Sequence, residues 1–141
     1  ASAMDTRLSL ASRYATQAKQ DISYIKRTIE QTGYSNAVPV ELKSAREYAN
    51  KGDASVMEAC LTLAERYNTQ KVDISEKVKK IKDLGYRRSV LVELEGAREY
   101  AQEGDHSVME ACLDLAQRYA GYVKQDIRKE VAEIRTSAKK K

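Results

Sequence analysis

Apolar residues recur along this chain at intervals of three and four. Leu8, Ala11, Ala15, Ala18, Ile22, Ile25 and Ile29 form one stripe. Cys60, Leu63, Tyr67, Ile74, Val78 and Ile81 form a second. Val108, Cys112, Leu115, Tyr119, Val123, Ile127, Val131 and Ile134 form a third. Leu42, Ala45 and Ala49, then Leu94, Ala97 and Ala101, make two shorter ones. This spacing lines one face of an α-helix with apolar side chains, and no strand-like alternation of useful length competes with it. The pattern predicts an all-α fold. The expected architecture is a five-helix antiparallel bundle or short α-solenoid, ordered long-short-long-short-long. Helices are expected near residues 5–32, 38–51, 54–84, 90–103 and 106–137. Gly33 and Gly85 sit where the long helices would stop. Pro39 falls where the first short helix would begin, and Gly52 and Gly104 fall where the short helices would end.

The stripes repeat because the sequence repeats. Residues 40–67 read VELKSAREYANKGDASVMEACLTLAERY, and residues 92–119 read VELEGAREYAQEGDHSVMEACLDLAQRY. A weaker third copy opens the chain, where LSLASRYATQAKQDI resembles LDLAQRYAGYVKQDI. The expected organisation is a single all-helical domain over 5–138, built from a tandem helical repeat of about 52 residues. Its copies are placed at about 22–73 and 74–127, with a partial N-terminal copy. Residues 1–4 read as a cloning remnant and 139–141 as a basic tail. The middle copy has one residue fewer between its Arg-Tyr and Asp-Ile. Within a continuous helix one deletion rotates everything after it by about 100°. Continuous helices are expected, with a local adjustment there; the alternative is a repeat broken near Asn68 and Gly121.

The most conserved-looking chemistry between the two copies is GDASVMEAC and GDHSVMEAC. Asp105, His106, Glu110 and Cys112 suggest a metal or nucleophile site at first sight. Ala54 replaces the single histidine in the first copy, so a duplicated site cannot require it. A structural role accounts for the rest. Gly52 and Gly104 permit a left-handed helix end. Ser55 with Glu58, and Ser107 with Glu110, have the spacing of a capping box. Asp53 and Asp105 are alternative caps. The A-R-E-Y-A-x-x-G-D pattern, with Ala64 and Ala116 following, resembles the turn region of tetratricopeptide-type helical hairpins over roughly 20 residues per copy. That resemblance implies helix-hairpin packing and a binding surface. The repeat period differs from that family's, and Met57 and Met109 stand where it expects a small residue.

Composition narrows the functional classes. The 141 residues are 42% apolar and 33% charged, with nine Tyr and no Phe or Trp. Such a core must be aliphatic with Tyr at its edges. No stretch approaches the ~20 apolar residues of a membrane helix, and the expected location is cytoplasmic. Cys60 and Cys112 read as small buried thiols, with a bridge between them as the alternative. The net charge of +4 is unevenly spread. Glu93, Glu95, Glu99, Glu103, Asp105, Glu110 and Asp114 make one region acidic. Lys77, Lys79, Lys80, Lys82, Arg87 and Arg88 make another basic, and Tyr86 beside them could stack a base. No phosphate loop, zinc-ligand pair or nucleophile elbow appears. The expectation is a non-enzymatic protein without catalytic residues, metal or cofactor. It would act through a protein partner or a second copy of itself. The alternative is non-specific nucleic-acid binding through the basic helix end.

Overall fold

The computed structural model describes the backbone of residues 2–139 and the side chains within that span other than those of residues 2–10, 28 and 31. It is all-helical among the described residues, with five helices packed together. They are α1 (Ser2–Lys51), α2 (Ala54–Tyr67), α3 (Ser75–Glu103), α4 (His106–Tyr122) and α5 (Arg128–Lys139). Lys140 and Lys141 of the expected basic tail lie outside the described residues, and Lys139 ends α5.

The helix boundaries differ from the sequence expectation at four places. Neither Gly33 nor Gly85 stops a helix, and Pro39 lies inside α1. The expected helices 5–32 and 38–51 are therefore one helix of 50 residues. The later part of 54–84 joins 90–103 to make α3. The long-short-long-short-long order is replaced by a 50-residue helix, then helices of 14, 29, 17 and 12 residues. Among the described glycines, Gly52 and Gly104 alone adopt the left-handed conformation, at φ 74° and 78°. Each closes its helix with a bond back across the last turn: Asp53 N–H to the Tyr48 carbonyl and Asp105 N–H to that of Tyr100, both 2.9 Å. A glycine in ordinary helical conformation costs about 1 kcal/mol relative to Ala but does not end a helix. Packing can offset that cost.

The expectation of continuous helices through Asn68 and Gly121 is also corrected. Non-helical linkers separate α2 from α3 and α4 from α5. In the first break the Asn68 side chain bonds the Val72 backbone twice, donating through Nδ2 at 2.6 Å and accepting at Oδ1 at 3.1 Å. Lys71 and Lys124 both turn left-handed there, at φ 53° and 54°. Asp73 then accepts from the Ser75 N–H, and Asp126 from that of Arg128. The one-residue difference between the copies is absorbed in these linkers, so no helix has to rotate.

Two apolar clusters share α3. Val38, Leu42, Ala45 and Ala49 of α1 meet Met57, Cys60, Leu61 and Ala64 of α2, with Val78 and Ile81 of α3 closing the group. The second joins Val90, Leu94, Ala97 and Ala101 of α3 to Met109, Leu113, Ala116 and Ala120 of α4. Ile127 and the α5 residues Val131, Ile134 and Ala138 complete it. The short stripes of Leu and Ala thus face the core. The α4 stripe is displaced by one position: Met109, Leu113 and Ala116 are buried, whereas Val108 is exposed and Cys112 and Leu115 are half-buried. Alanines let helix axes approach closely, so the Ala-bearing face wins the interior over the bulkier stripe beside it.

Candidate functional site

The turn residues resolve into helix ends. Asp53 accepts from the Val56 N–H and Asp105 from the Val108 N–H, each at 3.2 Å, so aspartate is the capping side chain in both turns. The Ser55–Glu58 and Ser107–Glu110 capping boxes are not formed, because Asp occupies the N-cap and each Ser lies one residue inside the helix. Both glutamates turn elsewhere. Glu58 accepts a hydrogen bond from the Tyr86 hydroxyl at 2.9 Å. Glu110 takes a two-pronged contact from Arg135 at 3.0 and 2.9 Å, which lowers its carboxyl pKa. Gly52 and Gly104 form the left-handed ends described above.

His106 is exposed at the start of α4. Cys60 and Cys112 are free thiols. Burial raises the pKa of both, with Glu41 adding to the effect at Cys60 and Glu93 at Cys112. A raised thiol pKa works against nucleophilic use. Among the described residues no group of three or more His, Cys, Asp or Glu is placed to hold a metal ion.

The basic surface maps onto the first half of α3. Lys77, Lys79, Lys80, Lys82, Arg87 and Arg88 are all exposed. Arg87 is tied to Asp83 at 3.0 Å one turn earlier. Tyr86 is engaged on several sides: it stacks on Tyr119 at 5.7 Å, leans on Tyr122 at 4.8 Å and bonds Glu58. Burial and then the Glu58 carboxylate push its phenol well above the usual tyrosine range. A groove of about 980 Å³ runs beside it, bordered by Lys79, Lys80, Lys82 and Tyr122 but also by Glu65, Asp73, Glu76 and Asp83. The charge in this groove is mixed. Glu58 and Tyr122 as partners of Tyr86 were not legible in the sequence, since Tyr122 has no counterpart in the first copy. The paired tyrosines themselves were: Tyr34 stacks on Tyr67 at 5.6 Å as Tyr86 does on Tyr119.

The most distinctive surface lies on α1. Every described side chain from residue 11 to 34 is exposed. Ala11, Ala15, Ala18, Ile22, Ile25 and Ile29 of the first stripe belong to this stretch, whereas the Leu8 side chain lies outside the described residues. Ile22, Ile25 and Ile29 are 64%, 55% and 66% exposed. A heptad-like seam that would cover a partner helix is therefore presented to solvent. No helix among the described residues is long and apolar enough to cross a membrane. No family model, curated protein or solved structure matches the chain.

Proposed function

We propose that this chain is a non-enzymatic helical repeat protein that acts by protein–protein contact or self-assembly. The observation that carries this reading is the open seam of α1. Apolar residues scattered singly over a surface are ordinary, but a continuous row on one helix face marks an interaction site. A helix whose described side chains are exposed is also marginal in water, so a partner would supply what holds this segment. The two Gly-Asp hairpins, α1 with α2 and α3 with α4, are read as two copies of one tandem unit, with a partial N-terminal copy before them. A cytoplasmic location goes with this reading and with two free thiols.

Sedimentation velocity over a concentration series tests it. The sedimentation coefficient should rise with concentration, or with an added partner that binds α1. A strict monomer at every concentration, with no partner bound, would overturn the proposal. A second reading, sequence-independent nucleic-acid contact, is favoured by the four exposed lysines Lys77, Lys79, Lys80 and Lys82 on one helix. It requires binding that weakens steeply with salt and falls in Lys79→Glu/Lys80→Glu. Unchanged binding in that variant would remove it.

A further inference from the structure

The first stripe has counterparts elsewhere in the chain, and their fate differs from its own. Ile22, Lys26, Ile29 and Gly33 correspond in sequence to Ile74, Val78, Ile81 and Gly85, and again to Ile127, Val131, Ile134 and Ala138. Val78, Ile81, Val131, Ile134 and Ala138 are all buried. Gly85 shows how the covering works. A Cβ built on it would fall on the Met57 sulfur, so α2 lies tightly over this part of α3. Glu58, one residue along, holds the Tyr86 hydroxyl. Glu110 of α4 reaches Arg135 of α5 in a similar way. Met57 and Glu58 thus hold α2 against the start of α3, whereas α5 packs mainly on α3 and is tied to α4 through Glu110 and Arg135.

The opening of the chain carries the sequence of such a covering helix. Ser2-Ala3-Met4-Asp5 aligns without a gap to Ser107-Val108-Met109-Glu110, and Leu8 to Leu113. In α1 it does not fold back. The stretch equivalent to the linkers is Ala15-Thr16-Gln17-Ala18-Lys19-Gln20-Asp21, which is helical. It has Ala15 where the first linker has Asn68, whose side chain makes the turn. Lys19 stands where Lys71 and Lys124 go left-handed, yet stays in the helix. The second copy carries Ala120 at this position, inside α4, and breaks only after Tyr122, so Asn68 makes the turn in the first break alone. Gly33, the slot equivalent to Gly85, has nothing within 4 Å of its Cβ position.

We propose that the occupant of this seam is the same segment of a second copy, laid antiparallel in a reciprocal, domain-swapped dimer. The proposal rests on the self-assembly reading above and names its partner. A straight α1 prevents its own first turns from reaching residues 22–34, so only another chain can supply them. Placing Met4 of one copy at Gly33 of the other, as Met57 lies at Gly85, sets the whole register. Leu8 then falls opposite Ile29, Ala11 opposite Lys26, and Ala15 opposite Ile22. The seam is self-complementary in that register, as a two-fold interface must be. Lys26 is the one departure from the buried pattern; opposite Ala11 its stem can lie along the apolar seam with the ammonium in water.

Disulfide trapping tests this with the full chain. In a Cys60→Ala/Cys112→Ala background, one chain carries Ala11→Cys and a tagged second carries Lys26→Cys. Along one straight helix these positions are about 22 Å apart, beyond any disulfide. After co-refolding and oxidation, a covalent heterodimer should be the main product. It should be lost when Ile22→Lys/Ile29→Lys is added to both chains. These positions lie outside the two apolar clusters, so the thermal melt of the core should persist and report folding. If a chain carrying both cysteines closes on itself as a monomer, the seam is covered within one chain and the inference is overturned. Self-association without the crosslink overturns it too but leaves the self-assembly reading standing. A monomer at every concentration overturns both.

Discussion

Replacing Gly85 by Ala should destabilise the fold, although the same change in an open helix stabilises it. Removing a glycine from a helix interior gains about 0.8–1 kcal/mol. At Gly85 the new methyl would overlap the Met57 sulfur, with the Met57 Cε 3.0 Å and the Ala49 Cβ 3.2 Å away. Met57 and Ala49 are both fully buried, so neither can move into solvent. Overpacking of this kind costs roughly 1–3 kcal/mol. The net expectation is a loss of about 0–2 kcal/mol by urea unfolding followed by circular dichroism. The sharper test is a double-mutant cycle. Met57→Ala alone should cost about 2–5 kcal/mol through the cavity it leaves. In the Gly85→Ala background it should cost less by about 1 kcal/mol or more, because the methyl no longer meets a sulfur and partly fills the space. If Gly85→Ala raises stability by the full helix-propensity gain, and the two changes add, the close approach of α2 to α3 is wrong.

Two further perturbations probe the turns and the surface charge. Gly52→Ala should cost more than Gly104→Ala in the same unfolding assay. Both lose about 1 kcal/mol to the left-handed conformation, but only a Cβ at residue 52 meets Val92 Cγ2 at 2.6 Å and the Arg88 carbonyl at 3.1 Å; equal losses would refute this. Glu110, lowered by its bond to Arg135, contributes stability above the ordinary glutamate pKa and loses it as pH falls through the depressed value. The pair is more than 40% exposed on both sides, so the effect should be under about 1 kcal/mol. Arg135→Gln should remove that part of the acid-side loss, and an unchanged pH profile would refute the assignment.

The elements differ in how far local sequence specified them. The Gly-Asp turns were legible as turns because two conditions coincide there, a residue free to go left-handed and a carboxylate one position later to cap the next helix; the Ser-Glu capping boxes expected beside them do not form, because that carboxylate takes the cap. The long helices were misdivided because glycine carries two meanings. Gly85 is small so that Met57 can lie against it, and Gly33 stands in open helix; neither fact shows in a single residue's propensity. The linkers were hidden by Lys71 and Lys124, residues that ordinarily favour helix and here take positive φ. Asn68 was the visible sign of the first break. At the surface, the apolar seam of α1 could be read from its spacing, but its exposure could not. The same periodicity describes Ile29, which is open, and Ile81, which is buried. What separates them is whether another helix folds back over each, and that depends on the linker before it.

Amide hydrogen exchange along α1, measured as a function of protein concentration, tests the central claim most directly. An unpartnered helix of this kind opens readily, whereas one held across a seam is protected. Residues 11–32 should exchange fast in dilute solution and slow as concentration rises, while residues 42–64 in the core stay equally protected throughout. Exchange along 11–32 that is fast at every concentration, or slow and independent of concentration, would contradict the claim that this face of α1 meets another molecule.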